Sequence, residues 1–142
     1  MWWRVYSVNV TGRACLLALL FAMLTLAGCG WTESGYVRMA GDAGSTLAAA
    51  ATTLRDAREA RVTAAYARSS FAGYQQQLQG LEQQLPRQDG APDQQTVQRL
   101  LALYRPAALA VAHPCLEGDC AWQAQVAALE RASQAFQQAG NS

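Results

Sequence analysis

The chain contains no lysine, so all 11 of its basic residues are arginine. It also contains no isoleucine. Only 15% of its 142 residues are charged, and it has a single histidine. Arg4 and Arg13 precede the first apolar run, and from Cys29 onward nine arginines stand against ten acidic residues, a net charge of −1. Nucleic-acid-binding modules carry a basic footprint. The sparse, balanced charge therefore predicts that no nucleic acid is a partner.

Long apolar runs are also scarce. The main uncharged stretch, residues 14–27, is 14 residues long and follows a segment with two arginines and no acid. A membrane-spanning helix needs about 20 apolar residues, whereas a secretory signal peptide needs a core of about 7–15. The stretch therefore predicts a signal peptide rather than a permanent span.

The apolar stretch ends in the tetrapeptide Leu26-Ala27-Gly28-Cys29. It resembles the lipobox of bacterial lipoproteins, with Leu three residues before the cysteine and two small residues between them. The resemblance implies that residues 1–28 are removed and that Cys29, carrying diacylglycerol on its thiol, becomes the first residue. It covers residues 1–29 only. An uncleaved signal anchor, in which Cys29 is a boundary residue, is the alternative.

Lipidation would give this protein a membrane as its partner. One acyl chain gives only reversible binding, at about 0.8 kcal/mol for each buried CH₂, so the two or three chains implied for Cys29 predict a permanent anchor. The expected location is the cell envelope, on the extracytoplasmic side. Gly30 stands where Asp would resemble an inner-membrane retention signal. This favours the periplasmic face of the outer membrane if the organism has two membranes.

Residues 29–44 contain four glycines and little periodicity. We expect a flexible spacer there, between the lipid and a domain formed by residues 45–142. Trp31 and Tyr36 lie in the spacer. They fit equally well at the lipid interface, where amphipathic rings are favoured, or packed on the domain.

The remainder predicts an all-α fold, because no stretch alternates with period two. A first helix starts at the N-cap Ser45 and runs over 45–85, a second follows the N-cap Asp93 and contains Pro106, which should kink it, and a third spans about 119–139. We expect a small bundle of three or four antiparallel helices. A first helix of that length would be about 60 Å long. Either it breaks near 69–73, or its first half projects as a stalk.

The predicted core is thin. Leu, Val and Phe make up 18 of the 114 residues from Cys29 on, against 25 alanines. The chain should therefore fold through close, alanine-lined helix contacts and have modest stability. Two apolar stripes at helical spacing mark the core of the second and third helices: Val97, Leu100, Leu101, Tyr104 and Ala108, and then Trp122, Val126, Leu129 and Phe136.

Cys115 and Cys120 bracket four residues between the second and third helices. Paired cysteines in an exported protein are normally oxidised, and Cys15 and Cys29 are assigned to the signal peptide and the lipid. The pair therefore predicts a structural disulfide.

Two other roles for this cysteine pair are open. With His113 and Asp119 the cysteines would make a metal site, but zinc sites usually combine two such pairs and no second pair exists. A redox dithiol would normally be C-x-x-C beside a βαβ pattern, and neither is present. We expect no metal and no cofactor.

Residues typical of catalysis are not arranged in any recognised motif. His113 precedes a proline at a helix end, which is more typical of a helix terminus than of a catalytic base. An aromatic group on the first helix (Tyr66, Phe71 and Tyr74) is more typical of core than of a ligand stack. The sequence predicts a non-catalytic, membrane-anchored envelope lipoprotein, a structural module or one that binds an envelope protein. Binding of a small ligand in a cleft between helices is the alternative, and an enzyme or redox accessory is a third hypothesis.

Overall fold

The computed structural model describes residues 33–141, and this part of the chain contains helices and turns but no strand. The predicted all-α fold is confirmed. Its elements are α1 (Gly35–Arg58), α2 (Ala64–Leu78), the short α3 (Leu81–Gln84), a 3₁₀ turn (Leu85–Arg87), α4 (Gln94–Ala112) and α5 (Trp122–Gly140).

The four long helices form a closed ring in which neighbours run antiparallel. α1 packs on α5, α5 on α4, α4 on α2, and α2 on α1, so α1 and α4 occupy opposite corners. Between α1 and α2, Thr46 in the middle of α1 donates to Gln77 near the end of α2, at 3.0 Å. The ring encloses the core and leaves each helix with one outer face.

The backbones of α1 and α5 touch directly. A Cβ atom added to Gly44 would lie 2.9 Å from the backbone nitrogen of Gln137, and one added to Gly140 would lie 2.8 Å from that of Gly41. The Ser133 hydroxyl donates to the Gly44 carbonyl at 2.9 Å in a buried position. The expected close contacts between small residues are thus concentrated between these two helices.

The predicted apolar stripes on α4 and α5 form the core. Val97, Leu100, Leu101 and Tyr104 are each at most 6% exposed, as are Val126, Leu129 and Phe136. Ala108 and Trp122 are half-buried at the edge of the core. The rings of Tyr104 and Phe136 pack with their centroids 5.8 Å apart. Within residues 33–141, no buried side-chain nitrogen or oxygen lacks a hydrogen-bond partner.

The predicted spacer over residues 29–44 is wrong from Gly35 onward, because α1 begins there. The N-cap is Ser34, whose hydroxyl accepts a hydrogen bond from the Val37 N–H at 3.2 Å. Ser45, predicted as the cap, lies inside the helix and donates to the Gly41 carbonyl at 2.9 Å. Three of the four glycines that suggested a spacer, Gly35, Gly41 and Gly44, are helical, and Gly44 allows the close approach of α5.

Tyr36 packs on the domain rather than at a lipid interface. It is 5% exposed, and its backbone N–H donates to the Asp89 carbonyl at 3.1 Å. Burial raises the pKa of its phenol. Trp31, for which the same alternatives were open, lies outside the described residues.

The predicted helix over 45–85 is also wrong, because the chain reverses between Arg58 and Ala64. Ala60 adopts a positive φ of 58°, and the Arg61 N–H donates to the Asp56 carbonyl at 2.8 Å. The Arg61 guanidinium also pairs with the Asp56 and Glu59 carboxylates at 3.2 and 2.6 Å. These local bonds stabilise a turn that contains no glycine or proline, the residues by which a turn is usually predicted from sequence.

Neither expectation about the long first helix holds in the structure. Gly73, near the predicted break, lies inside α2, and the second interruption falls at Gly80, whose φ is 78°. The first half does not project as a stalk, because Leu47 and Leu54 are fully buried in the core.

Helix α4 begins where the sequence predicts. The Asp93 carboxylate accepts hydrogen bonds from the Thr96 N–H at 3.1 Å and from the Thr96 hydroxyl at 2.7 Å. These bonds lower the pKa of Asp93. The helix continues through Pro106 to Ala112.

Candidate functional site

The turn between α4 and α5 contains the disulfide. Cys115 and Cys120 are joined, with their Cα atoms 6.2 Å apart. Cys115 is buried, whereas Cys120 and residues 117–119 are exposed. The covalent ring closes the reversal between the two helices.

The side-chain amide of Gln125, near the start of α5, bonds to the backbone of the disulfide turn. Its side-chain oxygen accepts from the Cys115 N–H at 2.8 Å, and its side-chain nitrogen donates to the His113 carbonyl at 3.0 Å. His113 itself is exposed and caps α4 through its backbone N–H, which donates to the Leu109 carbonyl at 2.9 Å. Nothing in the sequence distinguishes Gln125 from the other glutamines of this chain.

Two arginines, one from α1 and one from α2, contact the disulfide turn. Arg58 donates to the Gly118 carbonyl at 3.0 Å, and its guanidinium lies over the Trp122 ring, 5.9 Å from the centroid. Arg68 pairs with the exposed Glu117 at 3.7 Å. The turn therefore connects α4 to α5 and is also bonded to α1 and α2.

A metal site at this turn is not supported. Cys115 and Cys120 are bonded to each other, so neither offers a thiolate, and His113 and Asp119 are both exposed. Across residues 33–141, no group of three or more His, Cys, Asp or Glu side chains is placed to hold a metal ion.

The aromatic group predicted on the first helix is divided between core and surface. Phe71 is 2% exposed and meets the ring of Tyr74 edge-on at 5.7 Å. The Tyr74 hydroxyl is 3.0 Å from that of Thr53 on α1. Tyr66 is 59% exposed and takes no part in this cluster.

A groove of about 560 Å³ lies between α2 and α4. Its floor includes Leu78, Tyr104 and Val111, and its rim is rich in uncharged amides: Gln75, Gln76, Gln79 and Gln83. The Tyr104 hydroxyl donates to the Leu78 carbonyl at 3.3 Å, and burial, with a smaller effect of Glu82, raises its pKa. This groove is the candidate cleft between helices for the alternative hypothesis.

The outer face of α4 exposes a row of apolar side chains in the second half of the helix. Leu103, Pro106 and Leu109 follow one another at a spacing of three residues, and the two leucines are 42% and 66% exposed. They are two of the three large hydrophobic side chains exposed in the described part of the chain. Arg99 and Arg105 each lie four residues before one of these leucines, and α4 contains no acidic residue. We call this set of five residues the α4 face.

The α4 face adjoins the start of α1. Tyr36, in the first turn of α1, lines one groove of about 280 Å³ with Arg99, Leu100 and Leu103. Ala135 and Ala139 of α5 complete its apolar wall. The chain therefore enters the bundle beside the α4 face.

No family model, curated protein or solved structure matches this chain. The predicted signal peptide (1–28) and the lipid-bearing Cys29 lie outside the described residues. Over residues 33–141, no helix combines the length and the hydropathy needed to cross a membrane.

Proposed function

We propose that this protein is an envelope lipoprotein anchored through Cys29, and that its helical bundle is a non-catalytic module that works by docking. The observation that carries the proposal is the α4 face. A soluble bundle gains stability by burying leucines, at about 25 cal/mol for each Å² of apolar surface. Leu109, at 66% exposed, forgoes that gain, and exposed apolar patches with polar rims are typical of interaction surfaces.

The polar residues with well-defined contacts support a structural interpretation of the bundle. Asp93 caps α4, Gln125 clamps the disulfide turn, and Arg58 fixes that turn to α1. Ser133 holds α5 against α1. Each of these side chains stabilises the fold.

The position of α1 supports attachment close to a membrane. Only residues 29–34 separate the proposed lipid from Gly35, the first residue of α1. Six fully extended residues span about 20 Å. Because the expected spacer over 35–44 is helical, the tether is much shorter than the sequence suggested.

The anchor is tested by processing in a bacterial host that lipidates its own exported proteins. Cys29→Ala should stay uncut or be released without lipid, whereas Cys15→Ala, which changes a thiol inside the signal peptide, should be processed as the wild type is. Intact-mass analysis of the membrane-extracted chains measures this. A wild-type chain that still starts at Met1 and lacks acyl mass contradicts the proposal.

Binding of a small ligand is the second candidate, and the groove between α2 and α4 favours it. An apolar floor with a rim of amides and the single carboxylate of Glu82 suits a partly apolar ligand without negative charge. Ala108→Trp would fill the groove from its half-buried edge. Thermal stabilisation by such ligands, present in the wild type and lost in Ala108→Trp, would support this candidate. The same stabilisation in both proteins would exclude the groove.

A further inference from the structure

We infer that the α4 face docks on the surface of the lipid bilayer, so that the bundle lies on its side with α4 against the membrane. This inference rests on the proposed anchor at Cys29. It adds the identity of the docking partner and the orientation of the bundle.

The composition of the α4 face suits a bilayer surface. Leu103 and Leu109 are exposed, and the exposed Arg99 and Arg105 lie four residues before Leu103 and Leu109, respectively. Helices that lie at the interface bury leucines at the boundary of headgroups and acyl chains, while arginines pair with the phosphates. Arg105 pairs with Glu82 of α3 at 3.9 Å, and the cap Asp93 directly precedes α4, so both of these acids are outside α4.

The opposite corner of the bundle has the contrary character. The most exposed positions of α1 all carry polar side chains: Arg38, Asp42, Ser45 and Thr52. Since α1 and α4 stand at opposite corners of the ring, one side of the bundle is apolar and basic while the other is polar and of mixed charge. This asymmetry defines which side faces the lipid.

The tether favours the bilayer over other occupants. A lipid on Cys29 would keep Gly35 within about 20 Å of the membrane, and Tyr36, the next residue, lines a groove with Arg99 and Leu103. The bilayer is therefore present at a high effective concentration next to the α4 face. A second copy or another protein would have to compete with a surface that is always within reach.

The test uses the mature lipidated chain in phosphatidylglycerol vesicles. In that chain Cys29 is acylated and Cys115 and Cys120 are joined, so an added cysteine is the only free thiol. An environment-sensitive fluorophore is attached to Leu109→Cys or, as the matched control, to Thr52→Cys. Thr52 lies about 26 Å from the start of α1, and Leu109 lies about 23 Å from the start of α4. Both helices start at the same end of the bundle. An upright bundle would hold the two labels at similar heights.

Docking predicts that spin-labelled lipids quench the fluorophore at position 109 several-fold more than the fluorophore at position 52. Arg99→Gln and Arg105→Gln should each lower the ratio of docked to undocked bundle by about fivefold, since one arginine near an anionic surface is worth about that factor. Circular dichroism checks that the variants keep their helices.

The other outcomes are distinguishable. Equal quenching at the two positions, in chains whose intact mass includes the lipid, overturns the docking and leaves the proposed anchor standing. A blue-shifted label at position 109 that spin-labelled lipids do not quench means that a protein covers the face, and this also overturns the inference. Chains without acyl mass overturn the anchor and the docking together.

Discussion

Ser133 on α5 and Gly44 on α1 are 89 positions apart in the chain, and the serine hydroxyl donates to the glycine carbonyl at 2.9 Å. The bond exists because Gly44 has no side chain. A Cβ atom there would lie 2.9 Å from the Gln137 nitrogen and 3.2 Å from the Ser133 carbonyl. In a bundle with few large apolar residues, direct contact of two backbones supplies packing that leucines provide elsewhere.

Gly44→Ala should therefore destabilise the bundle by about 1–3 kcal/mol, the usual cost of overpacking. Besides the Gln137 side chain, the atoms that would have to move, the Gln137 nitrogen and the Ser133 carbonyl oxygen, belong to the α5 backbone. Gly41→Ala is the matched control, because its Cβ would meet nothing within 4 Å, and it should be neutral or stabilise by about 0.5–1 kcal/mol. Urea unfolding measures both. A Gly44→Ala protein as stable as Gly41→Ala would mean that α1 and α5 are not in backbone contact.

Leu129→Ala should lower the free energy of unfolding by about 2–4 kcal/mol, since it leaves a cavity where a fully buried leucine stood. Glu130→Ala, one position along, removes a carboxylate that pairs with Arg55 at the surface and should cost at most about 1 kcal/mol. Equal losses in the two variants would show that the wrong face of α5 has been assigned to the core.

Replacing the disulfide by Cys115→Ser/Cys120→Ser should reduce stability by about 2 kcal/mol, because a six-residue ring no longer restricts the unfolded chain. For a domain of this size each kcal/mol corresponds to about 4–8 °C in melting temperature. The variant should keep its helical circular dichroism at 20 °C, since Gln125 and Arg58 still hold the turn. Two free thiols in protein purified from the envelope without reductant would contradict the structural role.

Acid should weaken the start of α4 through Asp93. Its pKa is lowered in the folded protein, chiefly by the bond from the Thr96 hydroxyl and then by the Thr96 N–H. A group with a depressed folded pKa stabilises the fold above its unfolded pKa, about 3.9 for Asp, and that contribution is lost as the pH falls through the lower folded value. Asp93→Asn should flatten the acid limb of the stability profile, and Thr96→Val should do so in part. Urea midpoints between about pH 5 and pH 2 measure this. If both variants kept the acid limb of the wild-type stability profile, a stabilising role for the Asp93 cap would be excluded.

The sequence predicted the features that depend on near neighbours. The stripes on α4 and α5 follow from helical spacing, and the cap follows from an aspartate, Asp93, placed directly after a proline. The cysteines of the disulfide, Cys115 and Cys120, are only five positions apart. These signals are contained within one or two turns of helix. They were sufficient for the all-α fold and for two of its four long helices.

The errors arose where contacts between distant segments decide the structure. The glycines at 41 and 44 indicated a spacer, yet α5 makes them helical and buries one of them. The turn at Ala60 depends on Arg61 and Asp56 closing around it rather than on a glycine or proline. Considered alone, the glycines favoured a spacer and Ala60 favoured a continuous helix.

The α4 face was visible in part. Leu103 and Leu109 stand off the predicted core stripe, which marks them as candidates for exposure. Whether another helix would cover them depends on the ring order, which no local pattern specifies. The same holds for the groove between α2 and α4 and for the way Arg58 holds the disulfide turn.

The contact between Gly41 and Gly140 has a practical consequence for anyone attaching a reporter to this protein. It brings the end of α5 beside the start of α1, so a fluorescent domain fused after Asn141 would emerge at the end of the bundle where the proposed tether begins. Such a fusion would crowd the membrane and obstruct the side of the bundle proposed to rest on it. A small epitope inserted beside the exposed Gly118, at the far end, would leave both the tether and the α4 face unobstructed.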